Sequence, residues 1–176
     1  MSRARVLADF VGGTTAISGN PTFSGTVTGA GTPSVAFQVV ANDTDQDIPA
    51  TTVTMLQWGS VELDTGSYWD STNHRYTPQV AGWYEVGLTL RMKYDSAPIG
   101  QLQLLVYKNG ASYQSIVYQL TTDYFNNGSL TSGKVMVQMN GSTDYIDTRV
   151  YCDEAGTAHD NSAHNSRFFG SLIVST

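Results

Sequence analysis

The chain holds a single cysteine, Cys152, among 176 residues. One thiol excludes an intramolecular disulfide and any cysteine-rich zinc site. Small domains that work outside a cell usually carry disulfides. Without them, the sequence points to folding in a reducing cytosol, with robustness drawn from oligomerisation. Lysine and glutamate number only 3 each. Both are favoured on exposed helix faces, so their scarcity argues against helices. Charged residues make up 14% of the chain, below the ~25% usual for soluble domains. Positive charge is the scarcer sign: 9 Lys and Arg stand against 15 Asp and Glu, for a net charge of -6. That balance argues against nucleic acid as a partner. No run approaches the ~18 apolar residues that suggest a membrane span, so no membrane insertion is expected. The opening MSRARVLADFVGGTTA has too short an apolar centre to read as a secretory signal.

What fills the gap is 21 Thr, 17 Ser and 17 Gly, with 10 Tyr, 6 Phe and 3 Trp. Threonine and aromatic residues favour pleated, half-buried surfaces, so the composition reads as all-β with an uncharged polar exterior. Residues 1–33 differ from the rest. After Phe10 they are rich in Gly, Thr and Ser, and Ile17, Phe23 and Val27 are too sparse to build a core. Such a segment reads as an extended arm that needs a partner surface. Arg3 and Arg5 sit beside Val6, Leu7 and Phe10 at its tip, a short amphipathic patch.

From Ser34 to Thr176 the pattern is strand after strand. Tyr84, Val86, Leu88, Leu90, Met92 and Tyr94 alternate with Glu85, Thr89, Arg91 and Lys93, a period of two. Further strands are expected over 35–40, 52–58, 101–108, 113–120, 134–140, 143–152 and 168–175. On the last of these Phe168, Gly170, Leu172 and Val174 are expected to share one face. Asn109-Gly110 and Asn140-Gly141 each read as a tight hairpin, and Gly82 as a tight turn before the long strand. About eight to ten strands without a helix imply a sandwich or barrel.

Six stretches in order resemble the C1q-like (C1q/TNF superfamily) globular domain, especially its bacterial and phage versions. They are Ser34-Val35-Ala36-Phe37, Gln46-Asp47-Ile48-Pro49, the run Glu62 to Asp70, Arg75-Tyr76-Thr77-Pro78 through Gly82-Trp83-Tyr84, Tyr107-Lys108-Asn109-Gly110, and Ser166 to Leu172. The resemblance covers residues 34–176 and leaves the arm outside. It implies a ten-stranded jelly-roll β-sandwich that assembles as a compact homotrimer. Subunit burial would then stabilise a domain without disulfides.

Candidate chemistry is sparse. Asp43, Asp45 and Asp47 alternate as carboxylates that would converge on Ca²⁺, but Ile48 and Thr54 stand where an EF-hand needs Gly and Glu. The loop reads first as a solvated acidic surface, with calcium as the lesser alternative, and no cofactor is expected. His159 and His164 lie in a small-residue stretch that reads as a solvated loop, and His74 reads as a turn residue. Cys152 ends the row Ile146, Thr148, Val150, so it reads as a buried apolar residue and not as a nucleophile. No Gly-x-Ser-x-Gly elbow occurs, and no enzyme is expected.

The expected function is a phage virion structural protein: a homotrimeric capsid decoration (cement) protein on the virion surface, made in the host cytoplasm. Its arm would bind the major capsid protein or another virion protein. The receptor-binding head of a short tail or head fibre is the first alternative, with a host-surface glycan as partner. A bacterial C1q-like lectin or adhesive module is the second. The arm spans at most roughly 110 Å at ~3.3 Å per residue, short for a fibre stem.

Overall fold

The computed structural model describes residues 35–41, 45–94, 100–120, 129–159 and 166–176. All of them belong to one compact unit, Thr32–Thr176. Among the described residues there is no helix. The strands are β1 (Ala36–Val40), β2 (Gln46–Ile48), β3 (Thr54–Met55), β4 (Ser60–Asp64), β5 (Trp69–Asp70), β6 (Arg75–Tyr76), β7 (Ala81–Lys93), β8 (Gln101–Lys108), β9 (Ala111–Leu120), β10 (Ser129–Asn140), β11 (Ile146–Cys152), β12 (Gly156–Ala158) and β13 (Arg167–Ser175). They form two sheets, and the fold is the expected all-β jelly roll. The segments outnumber the expected ten strands because β2, β3, β5, β6 and β12 are ladders of two or three residues.

The long strand β7 organises the larger sheet. β10 pairs with β7 along its length, while β13 and then β12 pair with its other edge. The sheet continues from β13 to β1 and β4, and from β12 to β2. The smaller sheet runs β5-β6-β11-β8-β9, with β3 added to β11. All of these pairings are antiparallel.

Alternation then determines the core. Tyr84, Val86, Leu88, Leu90, Met92 and Tyr94 of the β7 row are all buried, as the period of two predicts. Ile146, Thr148, Val150 and Cys152 face them from β11. Phe37 stacks on Tyr76 with ring centroids 3.9 Å apart and meets Phe168 edge-on at 4.8 Å. Gly170 makes room for that cluster: a Cβ there would lie 2.8 Å from Phe37 Cε1.

Four expectations need correction. Asn109-Gly110 does close a two-residue hairpin between β8 and β9, with φ of 52° and 79° at its two centres, the pattern of a type I′ turn. Asn140-Gly141 does not close one. β10 belongs to the larger sheet and β11 to the smaller, so the segment is a corner between sheets. Asn140 Oδ1 builds that corner by accepting the N–H groups of Ser142, Thr143 and Asp144, each at 3.0 Å. Gly82 is no turn. It lies inside β7, and glycine is needed because a Cβ would sit 2.3 Å from the Val174 carbonyl oxygen.

In the 52–58 stretch only Thr54 and Met55 join a ladder. Beyond them the Leu56 N–H donates to the Thr148 carbonyl at 2.9 Å, and the Gln46 side chain bridges the segment, donating to the Met55 carbonyl and accepting the Gln57 N–H. Val174, finally, leaves the face of Phe168 and Gly170. The register of β13 shifts between Leu172 and Val174, and Val174 turns outward at 50% exposure.

Candidate functional site

The larger sheet has an outer face that the other described residues leave uncovered. Register places Leu63, Gln38, Phe169, Gly87 and Lys134 in one row across β4, β1, β13, β7 and β10. The next row carries Ala36, Ser171, Glu85 and Met136. Trp83 stands between Val174 and Gln138. Leu63, Trp83, Met136 and Val174 are exposed, as are Val61 and Ile173 at the flanks. Phe169 is held flat on the sheet by a glycine: a Cβ at Gly87 would lie 2.3 Å from its Cζ. One ion pair crosses the face, Lys134 Nζ to Glu85 Oε1 at 3.1 Å, with both side chains well exposed. Concentrated apolar surface of this kind marks an interaction site.

A second apolar stretch runs along the edge where the two sheets approach. The Tyr113 hydroxyl donates to the Met136 carbonyl at 3.1 Å, and Lys108 Nζ donates to the Gln138 carbonyl at 2.6 Å. Tyr118, Leu120 and Leu130 are the most exposed apolar residues of β9 and β10. Face and edge are thus two separate apolar surfaces among the described residues.

The arm residues Arg3, Arg5, Val6, Leu7, Phe10, Ile17, Phe23 and Val27 lie outside the described residues, as do Asp43 and His164. Asp45 and Asp47 are exposed at the start of β2, where Asp47 pairs with Thr157. Among the described residues no group of three His, Cys, Asp or Glu side chains stands where it would hold a metal ion. Cys152 is buried, and burial pushes its thiol up to about 11. His74 is the turn residue expected, at φ 48°. Its Nδ1 also accepts the Trp58 N–H at 3.2 Å.

His159 departs from the solvated loop foreseen for it. It is 1% exposed, packs 5.1 Å from the Trp58 ring, and has no hydrogen-bond partner at either ring nitrogen among the described residues. Its own N–H is tied to the Arg91 carbonyl at 2.8 Å, which draws the end of β12 inward. Burial lowers its pKa to about 4, against weaker upward pulls from the Gln57 backbone and the Asp45 charge. Small neighbours in the sequence hid this burial, because they resemble a loop whether or not a bulky residue turns inward.

No family model matches the sequence, and no curated protein matches it. Solved structures do. The globular domain of zebrafish complement 1qA protein aligns with a TM-score of 0.55 at 14% identity, over 81% of this chain and 99% of that one. Murine APRIL aligns with a TM-score of 0.57 at 11% identity, over 80% of this chain and 99% of that one. The fold is therefore the C1q/TNF-like jelly roll.

Proposed function

We propose that the protein is a homotrimeric structural protein of a phage virion, a capsid decoration protein whose jelly-roll head faces outward. The observation that carries the trimer is the uncovered apolar face of the larger sheet, with Trp83, Leu63, Met136, Phe169 and Val174 gathered on it. The fold likeness to complement 1qA and APRIL domains supports the same kind of head. The division of the chain supports the attachment. Residues 1–33 carry Val6, Leu7, Phe10, Ile17, Phe23 and Val27 at intervals too wide for a core of their own. Those side chains would bury against a capsid surface, and Arg3 and Arg5 would add a salt-sensitive contact to acidic groups there. Three arms per trimer act together, so attachment is stronger than any one arm provides.

Deletion of residues 1–33 tests this reading. The truncated head is expected to fold and to trimerise, because every core residue named above lies in the head. It is expected not to join particles. Normal occupancy of the truncated head on particles would place the docking surface on the jelly roll and overturn the arm's role.

A further inference from the structure

We propose that the outer face of the smaller sheet binds a tetrahedral oxyanion, a phosphate or sulfate group, a role that rests on neither the trimer nor the arm. The site is a cleft of about 260 Å³ where β3, β6 and β11 meet the 72–74 turn. Arg75, Arg149 and His74 line it, with Asp147 as the one carboxylate of the lining.

Alternation brings the two arginines to one surface. Ile146, Thr148 and Val150 point into the core, so Asp147 and Arg149 point outward from β11. β6 joins β11 through the Tyr76–Ile146 pair, which sets Arg75 beside that row. A ring then orients each guanidinium. The Arg149 carbon lies 3.9 Å from the centre of the Tyr107 ring, and the Arg75 carbon lies 4.6 Å from the centre of the Tyr145 ring. Stacking occupies one face of each group and leaves its N–H edges to the ligand.

What those edges already hold decides the ligand class. Arg149 spends Nε and one terminal nitrogen on Asp147, at 2.8 and 3.5 Å. Its other terminal nitrogen makes no hydrogen bond among the described residues. Arg75 Nε faces Asp70 Oδ2 at 3.3 Å as an ion pair without a hydrogen bond, and Asp70 lies outside the lining. The terminal nitrogens of Arg75 are likewise unbonded among the described residues. His74 adds a neutral donor: its Nδ1 accepts the Trp58 N–H at 3.2 Å, so the ring proton sits on Nε2. Asp147 is 1% exposed and engaged by Arg149, so it offers a ligand nothing. The lining thus presents donors, with two guanidinium groups against one carboxylate, in a chain whose net charge is -6. A ligand built of acceptors fits such a surface.

Geometry then separates the oxyanions. One guanidinium fork satisfies a planar carboxylate. Donors from two strands and a turn instead approach from several sides, which a tetrahedral anion can use. The volume falls below the ~300–1,000 Å³ of sites that enclose drug-sized ligands, which suits a small ion with its first waters. Asp70 offsets part of the Arg75 charge, so the expected binding is weak.

The test uses the full 176-residue chain. Phosphate and sulfate stabilise proteins through exclusion from their surfaces, so a melting temperature does not report a site. NMR of the arginine side-chain N–H groups does. Inorganic phosphate, sulfate, glycerol 3-phosphate and acetate would each be titrated at constant pH and ionic strength. Saturable shifts of the Arg75 and Arg149 signals are expected with phosphate and sulfate and not with acetate. Arg75→Ala is expected to weaken binding read at Arg149 by about tenfold or more, and Arg149→Gln to do the same at Arg75. Should Arg149→Gln fail to fold, Arg75→Ala decides alone, since its side chain is 37% exposed. Glycerol 3-phosphate binding as tightly as inorganic phosphate would identify an ester group as the source, and binding of the free ions alone would identify a free ion; both support the site. No saturable shift, equal shifts with acetate, or unchanged affinity in the folded variants would each overturn the proposal. Trimer mass and particle attachment are read separately, so this failure stays distinct from failure of the virion reading.

Discussion

At the scale of single residues, burial without a partner is the dominant theme. His159 is buried neutral, with its pKa lowered to about 4 from 6.5. A depressed histidine pKa means that the unfolded chain binds the proton first. Stability from this group is therefore full above about pH 6.5, falls as the pH drops from about 6.5 to about 4, and levels off below that. That interval corresponds to about 3 kcal/mol at 1.36 kcal/mol per pH unit. His159→Asn tolerates the left-handed backbone at φ 74° and removes the titration. Its denaturation midpoint is expected to vary less between pH 7 and pH 4 than that of the parent, measured by urea titration at each pH. Equal pH slopes would remove His159 from the account.

Cys152 gives a second prediction. Its thiol faces the Tyr94 hydroxyl in the core, and burial suppresses the thiolate. Thiol reagents should react only after denaturation, and reductant should leave the melting temperature unchanged. Cys152→Ser buries a hydroxyl and is expected to cost roughly 1–3 kcal/mol where that hydroxyl finds no partner. Calcium is the third residue-scale question. If Asp43, Asp45 and Asp47 hold it, millimolar Ca²⁺ raises the melting temperature and triple replacement by Asn abolishes the effect. No shift with Ca²⁺ or EDTA leaves Asp45 and Asp47 as the exposed acids they are in the fold.

Among the elements, the turns carry the information. Gly110 and Gly141 both have left-handed φ, 79° and 70°. A Cβ at Gly110 meets only the Tyr145 hydroxyl, at 3.2 Å, whereas one at Gly141 would lie 2.2 Å from the Ala81 nitrogen. Gly110→Ala is expected to cost about 1–2 kcal/mol of backbone strain. Gly141→Ala adds a collision with backbone and is expected to cost clearly more, as read from paired thermal melts. Asp144 shows why this corner is firm. Burial opposes its charge, but Lys108, Asn109 and Asn140 all donate to it and hold its carboxyl below the usual range. Asn109 therefore serves two elements: it centres the β8–β9 turn and binds the corner through Asp144 and the Tyr145 N–H.

The whole molecule is defined by its two outer faces. The apolar face of the larger sheet calls for a partner of matching character, and the proposed trimer would supply it from a second and third copy of the chain. Sedimentation at micromolar concentration is expected to give the mass of three chains. Placing a charge at its centre, Trp83→Glu or Met136→Glu, is expected to yield folded monomers with unchanged far-ultraviolet dichroism. A parent protein that sediments as a monomer would overturn the trimer. The opposite face pairs arginines with carboxylates and is polar.

The sequence by itself determined the class. Scarce Lys and Glu, abundant Thr and Tyr, and the strict alternation from Tyr84 to Tyr94 allow only a sheet protein with one face of β7 buried. That follows because a side chain's face is settled by local backbone geometry alone. Asn109-Gly110 was legible for the same reason, since two consecutive left-handed residues are a local requirement. Asn140-Gly141 carries the same local signal yet joins different sheets, because strand pairing depends on residues far away in the chain. The burial of His159, the outward turn of Val174 at a bulge and the Gln46 bridge to β3 are likewise invisible to periodicity. The arginine pair of the smaller sheet was not legible at all. Arg75 and Arg149 are far apart in sequence, and only the folding of β6 beside β11 brings them to one surface.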